Sequence, residues 1–177
     1  NPYRDRGLRA AQNAERILRG VGMETCMCLP FPLDKNSRME FPKNLVFQDM
    51  DEELKHADLM ICFGGDGTIL HAAKCANAHD VPILGVNLGS VGFMAELEQG
   101  ELNQLSKLAE GKYRVESRMM LDVRAIHEGK TIFRDIALND AVVTKGAVAR
   151  VIDLSVLADK TAITDFAGDG VILSTPT

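Results

Sequence analysis

The sequence lacks several features that mark large classes of proteins. It has no excess of positive charge: 20 lysine and arginine residues face 25 aspartate and glutamate residues, for a formal net charge of −5. That balance argues against a nucleic-acid backbone or an anionic membrane surface as the main partner. No apolar run approaches the ~20 residues of a membrane-spanning helix, and no secretory pattern opens the chain. We therefore expect a soluble, cytoplasmic protein.

Cysteine is scarce, and its spacing is not that of a metal site. The four cysteines (Cys26, Cys28, Cys62 and Cys75) lie in the first half of the chain and form no C-x-x-C pair. A zinc site built on paired cysteines is therefore not indicated, and we interpret all four as buried, reduced thiols.

The hydrophobic pattern changes along the chain. Up to about Glu98, continuous apolar runs such as DLMICF and VPILGVN lie between helix-like stretches, as is typical of a parallel sheet covered on both faces. After the short helix ELNQLSKLAEG the period becomes two, with tight turns such as Asp159-Lys160, which indicates antiparallel strands. We predict an α/β domain over 1–98, in which METCMCLP is a further candidate strand, and a β domain over 99–177. Both ends look cut, so we expect a fragment of a longer enzyme.

The stretch ICFGGDGTILHAA places an acid between glycines where a buried strand becomes a helix. It has neither the lysine-containing P-loop pattern nor GxGxxG. Gly64, Gly65 and Gly67 let backbone N–H groups approach phosphate oxygens, and Thr68 is placed to cap a helix whose N-terminus favours anions. Asp66 would disfavour simple phosphate binding unless it holds a metal ion or accepts a proton. The alternative is an aspartate that only bonds its own turn.

Four segments, in order, resemble the NAD kinase family. GGDGT after an apolar strand is shared by 6-phosphofructokinases, diacylglycerol and sphingosine kinases, and NAD kinases. The segments GVNLGSVGFMAEL, ALNDAVV and FAGDGVILSTPT are similar to further NAD kinase segments that lipid kinases carry poorly. The resemblance implies a Rossmann-like three-layer α/β domain (1–98) followed by the first part of an antiparallel β-sandwich domain that binds NAD (99–177).

The resemblance also implies the activity. The parent enzyme would move the ATP γ-phosphate to the 2′-hydroxyl of the adenosine ribose of NAD, giving NADP, with Mg²⁺ or another divalent cation. It would be a homodimer or homotetramer with shared active sites. Two alternatives stay open: a lipid or other small-molecule kinase that shares the GGDGT turn, and a non-catalytic dinucleotide-binding fragment.

In the first half, the resemblance assigns roles to Asp66, Gly67 and His71. Asp66 would be the general base that accepts the proton of the attacking hydroxyl, or would instead hold Mg²⁺ against the phosphates. Gly67 would allow close backbone approach beside it, and His71 would face phosphates. Leu88 and Phe93 would wall the pocket or pack in the core.

In the second half, Asn139 would pair with an adenine edge, and Asp140 would accept hydrogen bonds from ribose hydroxyls, although the family usually has glutamate there. An ordinary Asn-Asp turn is the alternative. Arg150 would contact the dinucleotide, and Asp169 would reach the nicotinamide carboxamide in a neighbouring subunit. Ala167 stands where members often have a polar side chain, so only backbone or methyl contact is available.

Overall fold

The computed structural model describes residues 1–30, 41–42, 45–89, 92–146 and 150–176. The chain divides into two compact units, an N-terminal unit (Asn1–Glu116) and a C-terminal unit (Ser117–Thr177). The division lies later than residue 98 because the 3₁₀ helix Gln99–Glu110 packs against the first α-helix and shares its core. No helix among the described residues is long and apolar enough to cross a membrane.

The N-terminal unit is built on a parallel sheet. Its strands pair in the order β1-β2-β3, and Gly64 lies opposite Asn87 where the first two strands end. The predicted strands in DLMICF and VPILGVN are thus confirmed. A 3₁₀ turn (Arg6–Leu8) precedes the first α-helix. The elements are α1 (Arg9–Gly20), α2 (Met50–Leu54), β1 (Met60–Gly64), α3 (Asp66–Ala78), β2 (Ile83–Asn87) and β3 (Leu97–Glu98).

Helices cover both faces of this sheet. Alternate side chains of a strand point to opposite faces. Accordingly, Ile61 and Phe63 pack with Val86 against α1 and the 3₁₀ helix. Met60 and Cys62 pack on the other side against α3. Apolar runs without alternation are what a strand buried on both faces requires.

Two local predictions for this unit are corrected. The helix expected to start at a Thr68 cap starts earlier, at Asp66, with Gly65 at the N-cap and no side-chain cap. Thr68 instead lies in the first turn, where its backbone N–H donates to the Gly65 carbonyl at 2.8 Å. The stretch METCMCLP was predicted as a strand, but the structure shows only an isolated bridge between Cys28 and Gln48.

The C-terminal unit consists of antiparallel strand pairs, as the period of two predicts. The pairs are β4–β5, β6–β9 and β7–β8. The turns Glu128-Gly129 and Asp159-Lys160 have positive φ at both residues (48° and 75°, 48° and 71°), which matches the twist of tight hairpins. The strands are β4 (Leu121–His127), β5 (Lys130–Ala137), β6 (Asp140–Thr144), β7 (Ile152–Ala158), β8 (Thr161–Gly168) and β9 (Gly170–Ser174).

Candidate functional site

The glycine turn joins the carboxyl end of β1 to the start of α3. Gly64 is the last residue of β1 and is buried. A Cβ at this position would stand 2.3 Å from Thr68 Oγ1 and 2.7 Å from Thr68 Cβ. Glycine is therefore required at position 64 by the packing of the turn against its own helix.

The next two glycines are not explained by packing. Apart from the adjacent residues and the nearby backbone of α3, no atom of the described residues lies within 4 Å of a Cβ built at Gly65 or Gly67. Neither residue has positive φ, and Gly65 is extended with φ −115°. The protein itself would accept a side chain at both positions. Bare backbone at a strand-to-helix turn is instead what a closely approaching ligand needs.

Asp66 is half-buried and is held by the loop that follows β2. Its Oδ2 accepts the backbone N–H of Phe93, and its Oδ1 accepts the backbone N–H of Met94, both at 3.1 Å. The carboxylate therefore bonds residues 27 and 28 positions away rather than only its own turn. Loops from two adjacent parallel strands meet at this acid, outside the carboxyl ends where open α/β sheets bind ligands.

His71 lies further along α3 with an exposed side chain. Its Nε2 is 2.7 Å from the carbonyl oxygen of Pro30, so this nitrogen carries the proton and donates. A cavity of about 190 Å³ in the same unit is lined by His71 and Thr68, together with mostly apolar side chains.

Three cysteines also line this cavity. Burial raises the pKa of the Cys28 and Cys62 thiols to about 12. Both thiols are therefore protonated at neutral pH and are poor nucleophiles. Cys62 is buried as expected, whereas the expectation is wrong for Cys26, which is exposed.

The C-terminal unit places Asn139, Asp140 and Asp169 on one strand pair. Asn139 directly precedes β6, and its carbonyl accepts the backbone N–H of Thr175 at 2.8 Å. Asp140 opens β6 opposite Ser174 and is exposed. Asp169 lies just before β9, at the other end of the same ladder. The two acids therefore mark opposite ends of one pair of strands.

Asp169 is bonded to a lysine that the sequence reasoning did not single out. Lys145 Nζ is 2.6 Å from Asp169 Oδ1, and the Lys145 backbone N–H donates to the Asp169 carbonyl at 2.9 Å. The neighbouring Gly170 is fixed by packing, because a Cβ there would stand 2.1 Å from the Val143 carbonyl oxygen. No local pattern signals this pair, since 24 positions separate its members.

The remaining second-half candidates lie on or beside a different strand pair. Ala167 is exposed in β8, where it faces Asp153 of β7 in the ladder. Arg150 is exposed and precedes β7.

Of the two apolar candidates, Leu88 packs against the core cluster around Val86, while Phe93 is 92% exposed. Sequence reasoning missed Asn87, which is only 2% exposed at the end of β2. Its amide nitrogen is 3.1 and 3.2 Å from the two Glu98 carboxylate oxygens, and its Oδ1 accepts the Gly89 N–H. A polar residue that closes a continuous apolar strand is the signal that could have found it.

Within the described parts of the chain, no three His, Cys, Asp or Glu side chains are grouped so that they could hold a metal ion. The N-terminal candidate site contributes a single carboxylate, Asp66. Magnesium commonly binds through one or two protein carboxylates together with water and substrate phosphates. A nucleotide-borne ion therefore fits the residues present, whereas an all-protein cage does not.

The chain is similar in sequence to known proteins. A family profile described as "ATP-NAD kinase N-terminal domain" matches residues 32–113. An NAD kinase of Acetivibrio thermocellus is 41% identical over 128 residues, which is 72% of this chain and 44% of that protein. An NAD kinase of Syntrophotalea carbinolica is 46% identical over 121 residues, which is 68% of this chain and 42% of that protein.

The fold has a counterpart among solved structures. A crystal structure of yeast NADH kinase complexed with NADH matches with a TM-score of 0.67 and 24% identity, covering 93% of this chain and 46% of that chain. At this identity the likeness shows a shared fold. The chain spans less than half the length of these relatives.

Proposed function

Because this chain belongs to the NAD kinase family, we propose that the protein containing it transfers the ATP γ-phosphoryl group to the 2′-hydroxyl of the adenosine ribose of NAD, giving NADP. The observation that carries the proposal is the turn at Gly65–Gly67. There, two glycines that packing does not require flank an acid at the start of a helix. That arrangement suits a bound polyphosphate next to a proton acceptor.

Asp66 is the proposed general base. An alcohol is a poor nucleophile, and a carboxylate within hydrogen-bond reach can accept its proton as the new P–O bond forms. A carboxylate has about four acceptor positions, so the bonds from Phe93 and Met94 leave room for a substrate hydroxyl. Bare backbone at Gly67 would meet phosphate oxygens beside it.

The divalent cation would travel with the nucleotide. When bound, Mg²⁺ neutralises phosphate charge, and Asp66 is the carboxylate of this turn that could also contact it. His71 would reach the phosphates after its bond to the Pro30 carbonyl is exchanged.

The C-terminal unit is the proposed NAD-binding half. Asn139 would read the adenine edge, and Asp140 would bind ribose hydroxyls. Arg150 and the backbone at Ala167 would contact the dinucleotide, and Asp169 would hold the nicotinamide carboxamide. These roles rest on the family resemblance, and the exposure of Asp140, Arg150, Ala167 and Asp169 makes all four accessible to a ligand.

The finer architecture is part of the same proposal. The N-terminal unit would be a Rossmann-like three-layer domain, and the C-terminal unit would be part of a β-sandwich. A cytoplasmic homodimer or homotetramer with shared sites stays a prediction. Asp66→Asn and Asp169→Asn proteins are mixed at an NAD concentration low enough that neither is active alone. The mixture should regain partial activity through hybrid sites. Absence of rescue after demonstrated subunit exchange would contradict shared sites.

The direct test uses the full-length protein. It is incubated with NAD, ATP and Mg²⁺, and NADP is measured with an NADP-specific dehydrogenase. We expect NADP to form with diacylglycerol unphosphorylated under the same conditions. Formation of phosphatidic acid without NADP would indicate a lipid kinase, and NAD binding without turnover would indicate a binding module.

A further inference from the structure

The Asp66 carboxylate is held in place by a three-residue segment, Gly92–Met94. One backbone N–H serves each oxygen: Phe93 donates to Oδ2 and Met94 to Oδ1, both at 3.1 Å. Two bonds to different oxygens fix the rotation of the carboxylate plane as well as its position. A single bond would leave that rotation free.

Gly92 lies directly against the same carboxylate. A Cβ built on Gly92 would stand 2.6 Å from Asp66 Oδ1 and 3.4 Å from Asp66 Cγ. Gly92 does not have positive φ, so its backbone would accept alanine without strain. The need for glycine at position 92 is therefore one of room for the Asp66 side chain.

The residues just before and just after the Gly92–Met94 segment are hydrogen-bonded to the sheet. Before it, the buried Asn87 side chain accepts the Gly89 N–H and donates to Glu98. After it, the Glu96 N–H donates to the Gly85 carbonyl at 3.1 Å, and β3 pairs with the end of β2. Its position is therefore set by the core strand β2.

We infer that Gly92 is a positioning residue for the reaction: it leaves the space in which the Phe93 and Met94 amides hold the Asp66 carboxylate in one orientation. The inference rests on the proposed function, in which Asp66 accepts the hydroxyl proton. A reacting group must be held to within about 0.5 Å, and a 1 Å misplacement can cost about 100-fold in rate. A methyl group at position 92 would push Oδ1 off its amide by a displacement of this order.

The test compares Gly92→Ala with Gly100→Ala in the full-length enzyme. Gly100 also lacks positive φ, and apart from its neighbours and its own helix backbone no described atom lies within 4 Å of its Cβ position. We expect Gly92→Ala to lower kcat by about 10- to 100-fold with the Kd for NAD changed less than about threefold. Gly100→Ala should leave both unchanged. An unchanged kcat in Gly92→Ala would overturn the inference.

A double-mutant cycle separates positioning from general damage. If Gly92 acts through the Asp66 carboxylate, Gly92→Ala should add little to the loss already caused by Asp66→Asn. Full multiplication of the two losses would overturn the inference. Asp66→Glu provides a variant without a change at position 92: its extra methylene does not fit between Gly92 and the amides, so kcat should fall although the acid is kept.

Failure of the proposed function would be visible separately. A wild-type enzyme that makes no NADP contradicts the function, whereas an active wild type with unaffected variants contradicts only the role of Gly92. The ¹³Cγ resonance of Asp66 tests the packing without any activity. It should move in Gly92→Ala and stay in place in Gly100→Ala, and an unmoved resonance in Gly92→Ala would overturn the inference.

Discussion

The two units differ in where their apolar side chains lie. Among the described residues, the fully buried apolar side chains all belong to the N-terminal unit, and Val86 and Leu105 are at most 1% exposed. In the C-terminal unit, Ile132 is 69% exposed, Ile163 is 62% exposed and Ile172 is 65% exposed. Both units contain β-strands rich in valine, isoleucine and leucine, so composition does not separate them.

This difference shows that the sequence pattern of a strand specifies an apolar face but does not provide the element that packs against it. In the N-terminal unit, α1, α3 and the 3₁₀ helix cover the sheet on both sides. The described residues of the C-terminal unit form two-stranded pairs with no covering helix, and an isolated two-stranded pair is at best marginally stable in water. We therefore expect the N-terminal unit to be the more stable and the C-terminal unit to open more readily.

The largest expected effect is on catalysis, and it compares one acid from each unit, Asp66 and Asp169. In the full-length protein, Asp66→Asn keeps the shape of the side chain but removes its charge and most of its basicity. We expect kcat to fall by about 10²–10⁴-fold, with NAD affinity changed by less than about tenfold. Asp169→Asn in the C-terminal unit should instead raise the KM for NAD and spare kcat. Asp58→Asn, at an exposed position, is the matched control, and the reverse pattern would contradict this division of roles.

A second prediction tests burial directly in the 177-residue chain. Leu105→Ala removes side-chain volume from the N-terminal core and should cost about 2–5 kcal/mol of unfolding free energy. Leu157→Ala changes a residue that is 58% exposed and should cost no more than about 0.5 kcal/mol. Urea unfolding followed through methyl NMR signals of each unit gives both values. Equal costs would remove the basis of the comparison.

A third prediction uses pH. The folded pKa of the Cys62 thiol is raised by burial to about 12, so the unfolded chain loses this proton first as pH rises above about 9. The thiol's stabilising contribution is therefore present below pH 9 and falls by up to about 1.4 kcal/mol per pH unit toward 12. The N-terminal unit should lose stability in alkali, and Cys62→Ala should flatten that slope.

The C-terminal unit has no cysteine, and its stability should instead change with pH in the acid range. Hydrogen bonds from Arg124 and then Arg134 lower the pKa of Asp122. The folded carboxylate is favoured above its unfolded pKa, and this small contribution is lost as pH falls through the folded value. Asp122→Asn should remove the acid dependence. Persistence of that dependence in the variant would assign it to other groups.

The smallest expected effect concerns the Lys145–Asp169 pair. Although the distance is 2.6 Å, the Asp169 side chain is 77% exposed, and exposed pairs contribute about 0–1 kcal/mol. Lys145→Met should therefore change the unfolding free energy by less than about 1 kcal/mol, with Lys130→Met as the control. A larger loss would mean that this pair does more to hold β6 and β9 together than its exposure indicates.

Local patterns predicted much of the fold. Continuous apolar runs located β1 and β2, and period-two alternation located the antiparallel strands. The turn at Asp159-Lys160 was also correct. The start of α3 was missed because Gly65, rather than Thr68, takes the N-cap. The later division between units arises from packing of the 3₁₀ helix on α1, which no single segment reveals.

The candidate site was predictable only in part. The GGDGT pattern identified Asp66 because a strand, glycines and a helix start are adjacent in sequence. Its partners Phe93 and Met94 lie 27 and 28 positions away, and the need for glycine at position 92 depends on where that distant side chain stands. These contacts depend on the tertiary structure. The sequence alone therefore identified the segment that contains Phe93 and Met94 but not its contacts with Asp66.

The β6–β9 ladder fixes the distance between two acidic residues, Asp140 and Asp169. Asp140 begins it, and Lys145 with Asp169 ends it five residues later. At about 3.3 Å per residue, the two acids stand roughly 16 Å apart. A free phosphate, a sugar or a single nucleobase is too short to touch both. Any one molecule that bridges them must be extended and of about dinucleotide size, so molecular length alone divides the ligands that could bind both acids from those that could bind only one.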